Sequence, residues 1–239
     1  MSQRVALVTG STSGIGEAIA RRLASDGFHV VVHSGSSVEE GERIAEEVEG
    51  SYLQADLSDA DAALATVSEA LAQLGRLDVL VNNAGVSRRI PHADLEAATP
   101  AEWRSVLEVN LISPFALTTA AAPYLRRTHG CVVNVTSHAG VRPKGSSIPY
   151  AASKSALNHV TRLLAVALGP EVRVNAVAPG LVDTPLTAGW DEAQDLWRER
   201  SPMRRAATPE DVAGLVADLV ASAYLTGEVV VLDGGLNLL

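Results

Sequence analysis

Seven short, valine-rich apolar runs, separated by longer stretches of helical spacing, leave few folds open to this chain. The runs occupy residues 4–8, 28–32, 51–54, 77–81, 131–135, 172–177 and 229–232, and most are apolar at consecutive positions. A strand with one wetted face alternates polar and apolar residues, so a run without alternation predicts cover on both faces. Between the runs, Ile15, Ala18, Ile19, Arg22 and Leu23 recur at helical intervals over 14–25, and Gly27 follows as a stop. Residues 59–74 start after Ser58, a capping candidate, and end at Gly75. Thr99-Pro100-Ala101-Glu102 supplies a cap, a first-turn proline and an early acid for a helix over 100–127. Thr208-Pro209-Glu210-Asp211 repeats that pattern ahead of 212–221, and a further helix is expected over 150–169. This alternation predicts an α/β fold of parallel strands joined by right-handed crossovers, with helices on both faces of one sheet. Without a repeat, low-complexity tract or linker, the 239 residues should form one domain over 1–239. Only 181–207 breaks the rhythm. It carries Trp190, Trp197, Pro185, Pro202 and alternating charges. It reads either as an irregular insertion, a lid over about 183–207, or as an ordinary surface helix.

Composition excludes several functions. A hydrophobic share of 47% with 20% charged residues predicts a substantial core and no bulk disorder. The net charge of −9 argues against a nucleic-acid partner, which needs a basic surface. It does not argue against a phosphorylated cofactor, because helix N-terminal N–H groups hold phosphate without net charge. Cys131 is the single cysteine, so no internal disulfide can form, and a reducing compartment is expected. No apolar run approaches the roughly 18–20 residues that cross a bilayer, and residues 5–8 are too few for a signal peptide. A cytoplasmic protein with no membrane partner is expected. The six histidines show no ligand spacing, so no catalytic metal is expected; His138, beside Ser137, is a candidate pocket residue.

Thr9-Gly10-Ser11-Thr12-Ser13-Gly14-Ile15-Gly16 follows the first run and opens the first helix. Glycines there let the chain turn with positive φ and let a phosphate approach the backbone, while the helix end supplies free N–H donors. The spacing is G-x-x-x-G-x-G rather than G-x-G-x-x-G, and a purely structural tight turn is the alternative. After Val32 comes His33-Ser34-Gly35-Ser36-Ser37, with no acid before Glu39. An acid at that point would hydrogen-bond an NAD ribose and repel a 2′-phosphate. Its absence favours NADP(H) over NAD(H), against the alternative of a plain polar loop.

Tyr150 and Lys154 stand four residues apart near the start of a helix, on one face. A free tyrosine has a pKa of ~10, so about one phenol in a thousand is ionised at pH 7. A nearby ammonium and a cationic nicotinamide could stabilise the phenolate in a low-dielectric cleft. The pair alone is a frequent coincidence. Ser137 lies just past the fifth run, Asn82-Asn83-Ala84-Gly85 ends the fourth, and Pro179-Gly180-Leu181-Val182-Asp183-Thr184 ends the sixth. All fall after strand C-termini, where an open α/β sheet forms its cleft. Asn110 sits inside a helix, where asparagine is a poor former and so invites a reason.

These pieces, with Asp56-Leu57 and the tail Leu232-Asp233-Gly234-Gly235, resemble the classical short-chain dehydrogenase/reductase family over nearly the whole chain. The resemblance implies a Rossmann-like three-layer sandwich with seven parallel strands in the order 3-2-1-4-5-6-7. It implies hydride transfer between a nicotinamide and a carbonyl or secondary alcohol, with Tyr150 as general acid/base and Ser137 orienting the substrate oxygen. Lys154 would hold the nicotinamide ribose and lower the Tyr150 pKa, and Asn110 would position a water in a proton relay. Gly10, Ser11, Thr12, Ser13 and Ile15 would face the cofactor at the turn, with Ser34 beyond them. Asp56 and Leu57 would flank the adenine, Asn83, Ala84 and Gly85 the adenosine side. Pro179, Gly180, Val182 and Thr184 would face the nicotinamide. The family also implies a homotetramer, with Gly234-Gly235 at a subunit contact.

Thr208-Pro209-Glu210-Asp211-Val212-Ala213, Thr226-Gly227 and Leu232–Leu236 look most like the 3-oxoacyl-(acyl-carrier-protein) reductase branch. Ser13 stands where many of that branch carry arginine. An acyl carrier protein as partner would call on Arg126 and Arg127, whereas Arg88 and Arg89 could face a small anionic substrate; solvated surface charge is the alternative for all four. Another alcohol or ketone (sugar, steroid, quinone), or a non-catalytic NADP(H)-binding sensor, remains as an alternative function.

Overall fold

The seven runs all become strands: β1 (Arg4–Val8), β2 (Phe28–Ser34), β3 (Ser51–Gln54), β4 (Val79–Asn82), β5 (Cys131–Val135), β6 (Arg173–Pro179) and β7 (Val229–Leu232). The computed structural model describes residues 3–238. The strands form one sheet in the order β3-β2-β1-β4-β5-β6-β7, every neighbouring pair parallel. Consecutive apolar residues part to opposite sides of it. Along β1, Ala6 and Val8 enter one core, while Val5 and Leu7 enter the other. The first core packs α1 (Gly14–Ser25), α2 (Val38–Glu47) and α8 (Pro209–Ala221) against the sheet; the second packs α3 (Ala60–Leu74), α5 (Ser113–Thr128) and α6 (Ile148–Leu168). Each fully buried valine or leucine of these cores stabilises the fold by roughly 1.5–3 kcal/mol.

Several boundaries move for tertiary reasons. β2 runs on through His33 and Ser34, expected as a loop, because both pair with β3 opposite Leu53 and Gln54. β4 starts two residues later than expected, at Val79, and Asp78 just before it ties the strand ends together through its side chain. Its carboxylate accepts from the Val5 N–H at 2.8 Å and is gripped by Arg76 at 2.7 Å. α3 begins at Ala60, so Asp59 rather than the expected Ser58 stands immediately before it. α2 has no counterpart in the apolar pattern, because its buried stripe is only Gly41, Ile44 and Ala45. A Cβ on Gly41 would come within 2.1 Å of the Tyr52 ring, so the helix docks through the missing side chain.

The helix expected over 100–127 is interrupted. α4 (Pro100–Leu107) and α5 are joined by one wide turn of π-helix, Glu108–Ile112. Pro114 has no N–H to give the Asn110 carbonyl, so the α-helical bond to it cannot form. The whole stretch Pro100–Thr128 is 29 residues with a mean hydropathy of 1.3 in its most apolar window, which by length and composition could cross a bilayer, contrary to expectation. Half of that window is buried inside the protein, the pattern of a core helix. Residues 181–207 are not irregular throughout. They hold α7 (Asp191–Arg200), a helix with no buried residue, and their ends are zipped by a Val182–Ala207 bridge.

Candidate active site

Every strand from β1 to β6 except β5 ends in a segment singled out above, and β5 ends two residues before Ser137, so all converge on one edge. A cleft of about 510 Å³ opens there. It is lined by Gly10, Thr12, Ser13 and Ile15 of the glycine turn, Ser34, Asp56 and Leu57, then Asn83, Ala84 and Gly85. Ser137, Tyr150, Lys154, Pro179, Gly180, Val182 and Thr184 complete the expected set. Two expected residues do not line it: Ser11 and Asn110.

The turn is held by side chains on both sides. Thr9 Oγ1 accepts from the Asn83 and Ala84 N–H groups, each at 3.0 Å, and Asn83 Nδ2 donates to the Thr9 and Gly10 carbonyls at 2.9 Å. Gly10 takes φ +61°, where an L side chain is strained. Ser11 is fully buried behind the turn, donating to the Val8 carbonyl at 2.8 Å and accepting from the His33 N–H at 2.9 Å. Its hydroxyl is scaffold rather than cofactor contact. Ser13 precedes α1 without capping it, which leaves the first-turn N–H groups facing the cleft end of the helix. That arrangement suits a pyrophosphate.

His33 also changes role. It is buried, and its Nδ1 accepts from the Gly10 N–H at 3.1 Å, so the neutral ring carries its proton on Nε2. Burial pushes its pKa down to about 4, so it offers a phosphate no charge. Because the folded value is depressed, the unfolded chain takes the proton first. Stability should therefore be whole above about pH 6.5 and fall by about 3 kcal/mol as pH drops towards 4. In His33→Asn, which keeps an acceptor for Gly10, that acid slope should flatten in urea titrations. An unchanged slope would remove His33 as its source. Further out, Ser34 shares a hydrogen bond of 2.7 Å with Tyr52, and the Ser58 N–H and hydroxyl hold the Asp56 carboxyl below its usual range. Among the described residues, no arginine or lysine lines this end.

At the other end, Ser147 caps α6, accepting from the Tyr150 N–H at 3.3 Å, which sets Tyr150 in the first turn and Lys154 one turn on. The Lys154 ammonium is buried and donates to the Val135 carbonyl at 3.0 Å. No carboxylate pairs with it among the described residues, and burial pushes it down to about 8. Burial raises the Tyr150 phenol, opposed by the Ser137 hydroxyl. The ammonium lies 5.9 Å from the Tyr150 ring centre. With protein groups alone, both side chains are thus tilted towards neutrality. A depressed phenol pKa requires a further positive charge in the cleft.

Asn110 lies one layer behind. It is fully buried in the π turn, its Oδ1 accepting from the Val86 N–H at 2.8 Å. Its Nδ2 donates to the Val86 carbonyl at 3.0 Å and to Ser153 Oγ at 3.1 Å. Ser153 in turn donates to the Tyr150 carbonyl at 2.7 Å. Ser153, which sequence reasoning passed over, therefore ties the π turn to the Tyr150 helix; its only signal was its place between Tyr150 and Lys154. Asn82, the first residue of the strand-end motif, faces inward, donating to Asn134 at 2.9 Å, and Asn134 donates to Thr161 at 2.9 Å.

His138 does not line the cleft. It turns away, buried, with Nε2 3.5 Å from Asp233 and its ring edge-on to Trp197. Trp197, within the segment read as a candidate lid, packs against Gly180 and His138. Cys131 is buried and its thiol is pushed up to about 11, as a small apolar residue requires. Among the described residues no three histidine, cysteine or acidic side chains gather as a metal site.

Residues 10–237 match the family model described as Enoyl-(Acyl carrier protein) reductase. The chain belongs to the short-chain dehydrogenase/reductase family. It is 52% identical over 98% of its length, and 96% of the other's, to a candidate ketoacyl reductase of the granaticin polyketide synthase of Streptomyces violaceoruber. A 3-ketoacyl-(acyl-carrier-protein) reductase of Brucella melitensis, complexed with NADH, superposes with a TM-score of 0.88 at 32% identity, covering 97% of both chains. A gluconate 5-dehydrogenase of Burkholderia cenocepacia, in complex with NADP and tartrate, superposes with a TM-score of 0.90 at 28% identity, covering 100% of this chain and 97% of the other. The family makes this an oxidoreductase working between CH–OH and C=O groups.

Proposed function

We propose that this protein is an NADP(H)-preferring reductase of 3-oxoacyl thioesters. One observation carries the reading: Ser137, Tyr150 and Lys154 share a single cleft with the glycine turn. The relative 52% identical to this chain, named for ketoacyl reduction, supports the substrate class. When bound, the nicotinamide supplies or accepts the hydride. Thr12, Ser13 and Ile15 hold the pyrophosphate on N–H groups that no side chain caps, Gly10 lies beside it, and Lys154 holds the nicotinamide ribose. Asp56, Leu57, Asn83, Ala84 and Gly85 border the adenosine, and Pro179, Gly180, Val182 and Thr184 face the carboxamide. Ser34 and the hydroxyls after it, in a loop with no acid of its own before Glu39, accommodate a 2′-phosphate.

Ser137 donates a hydrogen bond to the substrate carbonyl oxygen and fixes its distance from the Tyr150 phenol. Tyr150 gives that oxygen a proton in reduction, and takes it back in oxidation. The Asn110 amide is fully engaged with Val86 and Ser153, which leaves its carbonyl, freed by Pro114, to hold a relay water. Replacing Asn110 with leucine should therefore cost about 2 kcal/mol or more of stability through the unpaired Val86 groups, besides slowing turnover. Thermal melts that leave the midpoint unmoved would contradict the brace.

Half-exposed apolar side chains on α5 and α6, Phe115, Leu163 and the 84% exposed Val166, support a homotetramer built on those helices. An acyl carrier protein is a candidate partner through Arg126 and Arg127. Cys131, a free buried thiol, fits the cytoplasm. Oxidation of NADPH against an acetoacetyl thioester tests the function, with NADH in parallel. A kcat/KM at least about ten-fold higher with NADPH is expected. Tight cofactor binding with no turnover of any ketone would point to the sensor instead.

A further inference from the structure

Two loops that line the cleft meet beyond it in one contact. Ser87, after β4, and Thr187, after β6, both face the cleft. Two residues past Ser87, the Arg89 guanidinium rests over the Trp190 ring, 5.3 Å from its centre. Each side of this contact is anchored to the candidate catalytic frame. Ser87 and Ser146 share a hydrogen bond of 2.5 Å, and the Ile90 N–H donates to the Ser146 carbonyl at 2.8 Å. Ser146 directly precedes the Ser147 cap of the Tyr150 helix. Opposite, the Trp190 N–H donates to the Thr187 carbonyl at 3.1 Å, and Thr187 Oγ1 donates to the Val182 carbonyl at 2.6 Å.

Among the described residues, the charge of Arg89 meets only the Trp190 ring. Arg88 is paired with Glu102 at 3.4 Å, but among the described residues no carboxylate or other acceptor engages Arg89. A guanidinium lying on an aromatic face keeps its in-plane N–H donors for a second partner, and it matches carboxylate and phosphate oxygens in pairs. We propose that Arg89, held on Trp190, recognises an anionic group, a phosphate or carboxylate, that the substrate carries beyond its reacting carbonyl. The inference rests on the reductase reading above and names its specificity group.

The test compares acetoacetyl-CoA with the uncharged acetoacetyl-N-acetylcysteamine thioester. In Arg89→Ala, the ratio of their kcat/KM values should fall about ten-fold, with Arg89→Lys in between and Arg88→Ala unchanged. Equal losses on both thioesters, or the same loss in Arg88→Ala, would overturn the proposal; no loss on either excludes a phosphate-bearing tail, and calorimetry then decides the carboxylate. Calorimetry on the NADP-loaded protein reads binding without turnover. CoA, tartrate or both should bind the wild type and weaken about ten-fold in Arg89→Ala; CoA alone identifies a phosphate-bearing tail, tartrate alone a small carboxylate. No binding by either, or no weakening, overturns it. Weakened binding with every carbonyl substrate silent would sink the reductase reading while leaving the anion site standing.

Discussion

Tyr150→Phe is expected to lower kcat by roughly 10²–10⁴-fold, the range supplied by a positioned general acid or base. The change removes one oxygen from a helix whose position is set by other groups. Ser147 caps its first turn, Ser153 and Asn110 brace its second, and Lys154 is anchored on the Val135 carbonyl. None of these bonds uses the phenol. The Kd for NADPH should therefore stay within about three-fold, and stability within about 1 kcal/mol. A double comparison separates chemistry from folding: stopped-flow hydride transfer for the rate, fluorescence titration for the cofactor. A variant turning over at near wild-type rate would show that another group moves the proton. Loss of both rate and cofactor affinity would mean that the phenol holds the nicotinamide end together.

Gly16→Ala is the second large effect. A Cβ there would sit 2.5 Å from Asn83 Nδ2 and 2.1 Å from the Gly10 carbonyl oxygen, a backbone contact that no rotamer change can relieve. Either α1 moves away from the sheet or the turn gives up its bonds to Asn83. Overpacking of this kind costs roughly 1–3 kcal/mol, and about 2–4 °C of melting temperature for each kcal/mol in a chain this long. The larger consequence is for binding, because displaced first-turn N–H groups no longer point at one phosphate position; NADPH affinity should drop at least about ten-fold. Gly27→Ala is the control. Gly27 has φ +87° but open space around it, so alanine there should cost stability without touching cofactor affinity. Unchanged affinity in Gly16→Ala would mean that the turn does not carry the pyrophosphate.

The π turn explains why Asn110 was legible only in part. An asparagine in mid-helix, followed four residues later by a proline, is visible in the sequence and marks a helix that cannot be regular. Its partners are not visible, since Val86 lies 24 residues away and Ser153 lies 43 away. His33 and His138 show the same limit from the other side. Both stood beside promising residues, yet one became a brace for the glycine turn and the other turned towards Asp233.

The chain by itself determined the layers, the parallel sheet and the edge on which the cleft opens. Those follow from periodicity, caps and crossover handedness, which act over a few residues or through chirality common to all chains. It also determined the residue types for a proton transfer beside a glycine turn, because Tyr150, Lys154 and Thr9–Gly16 are local patterns. Only the tertiary structure decided which polar side chains face the cleft. A histidine or serine faces a ligand or a neighbouring backbone according to which desolvated donor lies nearer, and that neighbour belongs to a distant part of the sequence. Ser11 beside His33, and Arg89 resting on Trp190, were settled in that way.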